Sequence, residues 1–310
     1  MKNNMKMIRN MFVIALSVMV AACSGNIDDT PYDEETPVET PDQTPEETPE
    51  ETPEETPDDT PESETMFVKQ TCLMEFTGAW CVNCPDGYDK MMLQLSKPSM
   101  SKYKESLHIC AFHSNAEGTD SLGIAATQDV FRLFSGLAYP SYAVDLRECG
   151  LLTSDGISGL QPAIKASLDE YPAYCGVGVS SVVKDGSAEV TVTLASGRTA
   201  TYRVVLLVVQ DKIVGYQKHN EYGEMSDYTH RHVVRKVVTS YAKTFTGEKI
   251  TDDGYVENGK EVVKTWNFDL DSRWVLENTE IYALVLDEDG YVSNMNVCAI
   301  DGGVSGYERK

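Results

Sequence analysis

The first part of the folded region alternates between strand-like and helix-like hydrophobic patterns. Apolar runs typical of strands are found at 70–76, 107–112 and 141–145. Apolar spacing typical of helices is found between and after them, at 85–95, 124–134 and 157–168. Pro162 is tolerated only in the first turn of a helix, so the last helix is predicted to begin near Gln161. This alternation predicts an α/β sheet over residues 66–173.

The pattern changes between Tyr171 and Cys175, where Val, Tyr and Thr become frequent and the helix-like spacing ends. Strand-like runs are predicted after this point, at 177–183, 188–194, 201–209, 232–241, 262–268 and 281–286. Turn signals of the Asp-Gly and Ser-Gly type separate several of these runs. Residues 174–310 are therefore predicted to form an all-β domain, a sandwich of the immunoglobulin-like kind.

The N-terminal residues have the features of an export signal. Three Lys or Arg residues precede a short apolar run over 11–22, which is shorter than a membrane-spanning helix of about 20 residues. The run ends in VAAC, which resembles a bacterial lipobox, and the resemblance implies cleavage before Cys23 and lipidation of its thiol. Residues 1–22 are then a lipoprotein signal peptide, and Cys23 anchors the chain to a membrane. An ordinary signal peptide with an incidental cysteine is the alternative.

Residues 23–65 have the composition of a disordered linker. Between Ile27 and Thr65 the chain contains 17 Asp or Glu, no Lys or Arg and eight of its 13 prolines, many in a Thr-Pro-Glu-Glu repeat. Low hydrophobicity and high like charge prevent a packed core, and the prolines favour an extended spacer. Most of the net charge of −23 lies here, so the folded region is only moderately acidic. Its net negative charge argues against nucleic-acid binding, which needs a basic surface.

The candidate chemistry lies in the segment TGAWCVNCP, which contains Cys81 and Cys84. The segment follows a predicted strand, and a helix is predicted to begin at its first cysteine, where the helix dipole favours a thiolate. Cysteines three residues apart can close a disulfide, so Cys81 is predicted to be the exposed nucleophile and Cys84 the deeper resolving thiol. Trp80 can cover the sulfur with apolar surface. A zinc site and a structural disulfide are the alternatives, although no second Cys-x-x-Cys motif is present.

Over about residues 66–171, the strand, the Trp-Cys-x-x-Cys segment and the following helix resemble the thioredoxin superfamily. Glu75, six residues before the first cysteine, matches a buried carboxylate beneath the active site, and the resemblance implies that it moves protons to and from Cys84. A solvent-facing strand position is the alternative for Glu75. The dipeptide Tyr139-Pro140 matches a cis-proline position. The resemblance implies that the backbone of Tyr139 pairs with an extended substrate peptide.

Four segments carry a resemblance to a narrower family. They are EFTGAWCVNCP at 75–85, LLVVQDKIVGY at 206–216, HRHVVR at 230–235 and the run at 294–300. These segments resemble the Bacteroidetes outer-membrane lipoproteins related to a 28-kDa outer membrane protein. The resemblance implies a thioredoxin-like domain followed by a β-domain, held at the periplasmic or cell-surface face of the outer membrane. It does not imply a particular substrate.

Two weaker constellations concern histidines and the remaining cysteines. His230 and His232 are two residues apart on a predicted strand, so both are expected on one face, where such a pair can bind a metal. No third ligand is near in sequence, and a surface strand face is the favoured interpretation. In an oxidising compartment some of the other cysteines are expected to pair. Cys175 with Cys298 is one candidate bridge. The remaining cysteines are Cys72, Cys110 and Cys149, and the alternative for Cys72 and Cys110 is that they are buried thiols on predicted strands.

The leading functional prediction is thiol–disulfide exchange on exported proteins, whether reduction, isomerisation or oxidation. A Cys81 thiolate would form a mixed disulfide that Cys84 resolves, and this chemistry needs no dissociable cofactor. The expected partners are thiols or disulfides of exported proteins and, through the lipid on Cys23, a membrane. The competing class is a non-catalytic surface lipoprotein, in which the thioredoxin-like fold is a scaffold and the β-domain binds protein or glycan.

Overall fold

A computed structural model describes residues 63–115, 120–134, 138–239 and 245–310. The predicted signal peptide, Cys23 and all but the last three residues of the predicted linker lie outside the described residues. The described part of the chain is rich in β-strands, with a large mixed sheet and few helices.

The helices of the described residues are short. They are α1 (Cys84–Leu95), α2 (Ala125–Phe131) and α3 (Leu160–Lys165), with 3-10 helices at Pro98–Ser106 and Leu276–Asn278 and a π-helix at Ala166–Glu170. Pro85 lies in the first turn of α1, where a missing backbone N–H costs little. The predicted start of the last helix near Gln161 is confirmed, because Pro162 lies in the first turn of α3.

The strands of the described residues account for most of the fold. In chain order they are β1 (Thr71–Thr77), β2 (Leu107–His113), β3 (Ser141–Val144), β4 (Arg147–Thr153), β5 (Gly156–Ile157), β6 (Cys175–Lys184), β7 (Ser187–Ser196), β8 (Ala200–Thr201), β9 (Arg203–Gln210), β10 (Ile213–His219), β11 (Gly223–His230), β12 (Val233–Val237), β13 (Glu248–Lys249), β14 (Tyr255–Val256), β15 (Glu261–Asp269), β16 (Thr279–Leu286), β17 (Val292–Ala299) and β18 (Val304–Ser305).

One mixed sheet contains strands from both halves of the chain. Its strand order is β17-β16-β9-β12-β2-β1-β3-β4-β5, with β13 paired to β9. Strand β1 pairs in parallel with β2 and antiparallel with β3. Strand β12 joins the two halves where Val233 pairs with Ala111, and the Ala111 N–H donates to the carbonyl of His232 at 2.7 Å. The division at residue 173 stays a prediction, and the large sheet continues across it.

A second, four-stranded sheet of order β15-β7-β6-β18 packs against one face of the large sheet. Because side chains alternate along a strand, β9 serves two cores. Its residues Val204, Leu206 and Val208 pack with the four-stranded sheet, whereas Leu207 and Val209 pack on the opposite side with Met74, Phe76 and Val130. One face of β9 is thus covered by the four-stranded sheet, and the other face shares a core with residues of the N-terminal half.

A third core positions helix α1 over strand β1. Leu73 packs with Met91 of α1 and with Tyr142 of β3. Residues two apart on a strand share a face, so Glu75 lies on the same side of β1 as Leu73, beneath α1. The neighbours Met74 and Phe76 belong to the core on the other face. This alternation decides where the carboxylate lies relative to the dithiol.

The predicted strand positions are mostly within two residues of the observed ones, but the region 213–237 differs. The hairpin of β10 and β11 was not predicted, and neither were the strands β4 and β17. The prediction that His230 and His232 share a strand face is wrong, because His230 ends β11 and His232 has a φ of 54° in the connection to β12. His230 is buried at 3% exposure, so it is not on a surface strand face either.

Candidate dithiol site

Strand β1 leads through a short turn into the two cysteines and helix α1. The Cys81 N–H donates to the Gly78 carbonyl at 3.0 Å, and the Cys84 N–H donates to the Cys81 carbonyl at 3.3 Å. Cys81 and Cys84 are joined by a disulfide, with their Cα atoms 5.5 Å apart. The helix begins at Cys84, three residues later than predicted, because the residues from Cys81 to Asn83 form the turn that precedes it.

Both sulfur-bearing residues are buried in the disulfide form. Cys84 is 2% exposed and Cys81 is 5% exposed. The prediction that Cys81 is exposed is therefore wrong for this form of the protein. The reason is that the β10–β11 hairpin lies against the turn that carries Cys81.

The rings of Trp80 and Tyr139 are in contact beside the turn at 78–83 that carries Cys81, which we call the dithiol turn. The indole N–H of Trp80 donates to the Ser114 carbonyl at 2.7 Å. The indole ring meets the ring of Tyr139 edge to face, with centroids 5.2 Å apart, and Tyr139 in turn stacks on Phe131 at 4.6 Å. These contacts hold the turn between β1 and Cys81 against helix α2.

The Tyr139-Pro140 peptide bond is cis, and Pro140 is buried against helix α1. A Cβ atom on Gly87 would lie 2.7 Å from Cγ of Pro140 and 2.7 Å from Oη of Tyr142. Glycine is therefore required at this helix position, because any side chain would collide with both neighbours. The close approach fixes the first turn of α1, and so Cys84, relative to Pro140.

Glu75 is buried beneath the dithiol at 3% exposure, so the solvent-facing alternative is wrong. Burial raises the pKa of Glu75 from 4.5 to about 8. Its carboxyl lines a cavity of about 20 Å³ together with Cys84, and the other lining residues are Thr77, Pro85, Tyr88, Ala111, His113, Gln217, Tyr228, His230 and Arg231. A volume of this size has room for about one water molecule. Glu75 and the resolving cysteine therefore border the same cavity.

A buried histidine–aspartate pair holds the turn before Cys81. The His113 Nδ1 and the Asp120 Oδ2 are 2.8 Å apart, and the same Oδ2 accepts the Ala79 N–H at 2.7 Å. Burial opposes the charge of Asp120, but hydrogen bonds from His113, Ala79 and Leu122 outweigh it and lower the pKa of the carboxyl. Asp120 thus links the end of β2 to the dithiol turn.

The ring of His113 also meets a histidine from the hairpin. Its centroid lies 5.0 Å from that of His230, whose Nε2 is 3.1 Å from the Tyr216 carbonyl. Burial, together with nearby His113, lowers the pKa of His230 to about 4. His113 and Asp120 were not predicted as site residues, and His230 was considered only as one of a possible metal-binding pair. The first could have been found, since it ends β2 and the carboxyl ends of the parallel strands β1 and β2 meet at one sheet edge.

The other cysteines of the described residues are free thiols. The candidate bridge between Cys175 and Cys298 is not formed, and burial raises the pKa of each of these thiols to about 11. Cys72 and Cys110 are both buried, with their Sγ atoms 3.6 Å apart. Within residues 63–310, apart from the three undescribed gaps, no group of three or more His, Cys, Asp or Glu side chains is placed to hold a metal ion.

The fold and the site define a β-rich, mixed-sheet protein with a buried disulfide at the start of a helix. The chain matches the family Outer membrane protein Omp28 over residues 147–302, just over half of its length, and it belongs to that family. The family description agrees with the predicted outer-membrane location. The matched residues include the β10–β11 hairpin but neither Cys81 nor Cys84.

A solved structure, HBP35 of Porphyromonas gingivalis, resembles the chain with a TM-score of 0.60 and 17% sequence identity. The alignment covers 76% of this chain and 77% of that one. At this identity the likeness concerns the fold alone. The comparison with curated proteins gives no significant match. None of the helices in the described part of the chain has the length and apolar character of a membrane-spanning helix.

Proposed function

We propose that the protein is an outer-membrane lipoprotein that exchanges thiols and disulfides with exported proteins. In this proposal residues 66–173 form a thioredoxin-like domain and Cys81 and Cys84 are its redox pair. The observation that carries the proposal is the cavity shared by Cys84 and the buried carboxyl of Glu75. A structural disulfide has no need of a titratable group beneath it, and burial of an unpaired carboxyl is costly.

The exchange reaction proceeds in two balanced steps. In the reduced protein the Cys81 thiolate attacks one sulfur of a substrate disulfide, that S–S bond breaks, and the released substrate thiolate takes up a proton. Cys84 then loses its proton and attacks Sγ of Cys81, which releases the second substrate thiol and leaves the Cys81–Cys84 disulfide. Two electrons pass from the protein dithiol to the substrate disulfide. A partner dithiol returns them, and the reverse sequence oxidises a substrate dithiol.

The surrounding residues have separate roles in this scheme. The ionised form of Glu75, which is the minor form at neutral pH because the pKa is about 8, takes the proton from Cys84 across the shared cavity. The backbone of Tyr139 pairs with an extended substrate segment, and Trp80 with the ring of Tyr139 shapes the adjoining surface. Asp120, bonded to the Ala79 N–H, keeps the turn before Cys81 in place.

Turnover of a protein disulfide by the mature chain tests this function. Cys81→Ser is expected to reduce turnover at least about a hundredfold, because the hydroxyl cannot form the mixed disulfide. Cys298→Ser is the matched control, since it removes a buried thiol far along the chain and leaves the dithiol intact. Equal turnover in wild type and Cys81→Ser, or none in either at any tested redox potential, would refute catalysis by this pair.

The membrane anchor is a separate part of the proposal. Cys23 and the apolar run before it lie outside the described residues, and the lipobox-like sequence VAAC supports lipidation there. Cys23→Ser is expected to move the protein from the membrane fraction into a soluble exported fraction, as measured by fractionation and immunoblotting. If the variant stays firmly with the membranes, another part of the chain holds it there.

The competing binding function is favoured by a cleft of about 980 Å³ that residues of both halves of the chain line. The acidic turn Asp287–Tyr291 lines it, together with Arg147, Arg203 and the aromatic rings of Phe134 and Phe245. Such a mixture of charged and aromatic groups suits a peptide or glycan. The turnover assay separates the two functions, since a binding protein would show no turnover that depends on Cys81.

A further inference from the structure

The β10–β11 hairpin lies directly on the dithiol turn. The Lys218 N–H donates to the Ala79 carbonyl at 2.7 Å, and the Asn220 N–H donates to the Val82 carbonyl at 3.0 Å. These two carbonyls precede and follow Cys81 in the chain, so the hairpin strand runs alongside the cysteine. With this strand in place, Cys81 is 5% exposed, whereas its neighbour Val82 is 42% exposed.

Gln217 fastens the hairpin to the turn. Its side chain is buried at 2% exposure, and the amide Nε2 lies 3.0 Å from the Cys81 carbonyl and 3.3 Å from the Gly78 carbonyl. The same nitrogen is 2.8 Å from the carbonyl of Lys218 in its own strand. One amide therefore joins the hairpin backbone to both ends of the turn that carries the nucleophile.

The rest of the hairpin has little to hold it in this position. Among the strands that the structure describes, β10 and β11 pair only with each other, as a two-stranded sheet apart from the large sheet. An isolated two-stranded hairpin is only marginally stable in water. Val214 and Tyr222 are 65% and 66% exposed. The firm attachments are the contacts with the dithiol turn and, at the base, buried His230 against His113.

We propose that the β10–β11 hairpin is a lid on the dithiol and that Gln217 is its latch. When the lid is closed, the disulfide is shielded from partner thiols. Opening exposes Cys81 and frees the carbonyls of Ala79 and Val82 for the N–H groups of an extended substrate segment. The substrate step rests on the proposed function, whereas the gating of Cys81 does not.

The lid also encloses the cavity beneath the disulfide. Gln217, Tyr228 and His230 come from the hairpin and line the cavity that contains the carboxyl of Glu75. Opening the lid therefore admits water to Glu75 at the moment when the disulfide becomes accessible. Access to Cys81 and proton exchange with Cys84 are thus coupled by one moving element.

The test measures how fast a small dithiol, dithiothreitol, reduces the Cys81–Cys84 disulfide in the intact mature chain. Gln217→Glu replaces the donor nitrogen by an oxygen that faces two carbonyls, and Gln217→Met removes the donor without adding charge. Both variants are expected to be reduced at least about tenfold faster than wild type. Gln161→Glu is the matched control, because it removes an amide donor to the Gln94 carbonyl away from the dithiol, and its rate should equal that of wild type.

Hydrogen exchange in the unaltered protein gives a second measurement that needs no variant. The Lys218 and Asn220 amides are expected to exchange through a local opening, at least about tenfold faster than the amides of β9. Unchanged or slower reduction of both Gln217 variants, or exchange of these two amides only with the amides of β9, would overturn the lid. If the Gln217 variants are reduced faster than wild type but the protein shows no turnover that depends on Cys81, the lid is supported and the proposed function is rejected.

Discussion

Glu75→Gln is expected to raise the free energy of unfolding by about 3 kcal/mol at pH 7 and to slow disulfide exchange. The stability change follows from the buried carboxyl, whose pKa is raised from 4.5 to about 8. The folded protein binds this proton more tightly than the unfolded chain does. Ionisation therefore costs stability in the native state, and the uncharged amide removes that cost.

The sign of the pH dependence follows from the same shift. Below about pH 4.5 the carboxyl is protonated in both states and costs nothing. As pH rises towards 8 the unfolded chain loses the proton and the folded protein keeps it, so wild-type stability falls across this window. The amide does not titrate. The difference in unfolding free energy between variant and wild type, measured by urea denaturation, is therefore expected to grow from near zero at pH 4.5 to its largest value near pH 8.

The difference in unfolding free energy between variant and wild type does not contain the contributions of other groups that titrate between pH 4.5 and pH 8. His230, with its pKa lowered to about 4, favours the folded state more as pH rises to about 6.5, which opposes the effect of Glu75. This contribution is present in both proteins. Glu148→Gln, at an exposed position of β4, is the control, and its effect should stay within about 0.5 kcal/mol.

Exchange is expected to slow by about 10- to 100-fold in Glu75→Gln near pH 7, because Cys84 loses its proton acceptor. The loss should lie in the resolving step, so mixed disulfides should accumulate in rapid-quench measurements. A variant that is more stable and equally active would show that Glu75 is only a buried polar residue. A variant with no gain in stability would show that its carboxyl is not protonated at neutral pH.

The strand, turn and helix around the dithiol could be predicted because each depends on local sequence. The apolar run of β1 and the Cys-x-x-Cys spacing identify the site, and the position of Glu75 six residues earlier places it on that strand. Which face Glu75 takes could not be decided, since all seven residues of β1 are buried and a strand buried on both sides shows no alternation.

The parts that could not be predicted depend on contacts between distant segments. The pairing of β12 with β2 rests on Val233 and Ala111, which are far apart in sequence, and no local pattern encodes it. The β10–β11 hairpin is partly polar, and its strand β11 lacks the Val-rich pattern of the other strands. The sequence pattern therefore did not predict strands in this segment. His232 adopts a positive φ, which histidine tolerates more readily than β-branched residues do, and this residue separates β11 from β12.

Cys84→Ser is expected to convert transient encounters with exported proteins into stable mixed disulfides. Cys84 is bonded to Cys81 in the structure and is 2% exposed, so it is placed to attack Cys81 and poorly placed to meet a partner. Without its thiol, the mixed disulfide on Cys81 can be resolved only by an external thiol, which is slower. Trapped adducts are therefore expected to rise at least about tenfold over wild type.

The adducts are measured on non-reducing gels of cells that carry the full-length variant, and they should collapse to the free chain on reduction. Cys81→Ser/Cys84→Ser is the matched control and is expected to trap nothing, because Cys149, Cys175 and Cys298 all have thiol pKa values raised to about 11 or 12 by burial and form little thiolate. Adducts that persist in the double variant would assign the reactive thiol to another cysteine. An absence of adducts in Cys84→Ser, with the chain folded and exported, would remove Cys81 as a nucleophile towards exported proteins and leave the cleft near Asp287 as the place to look for a binding function.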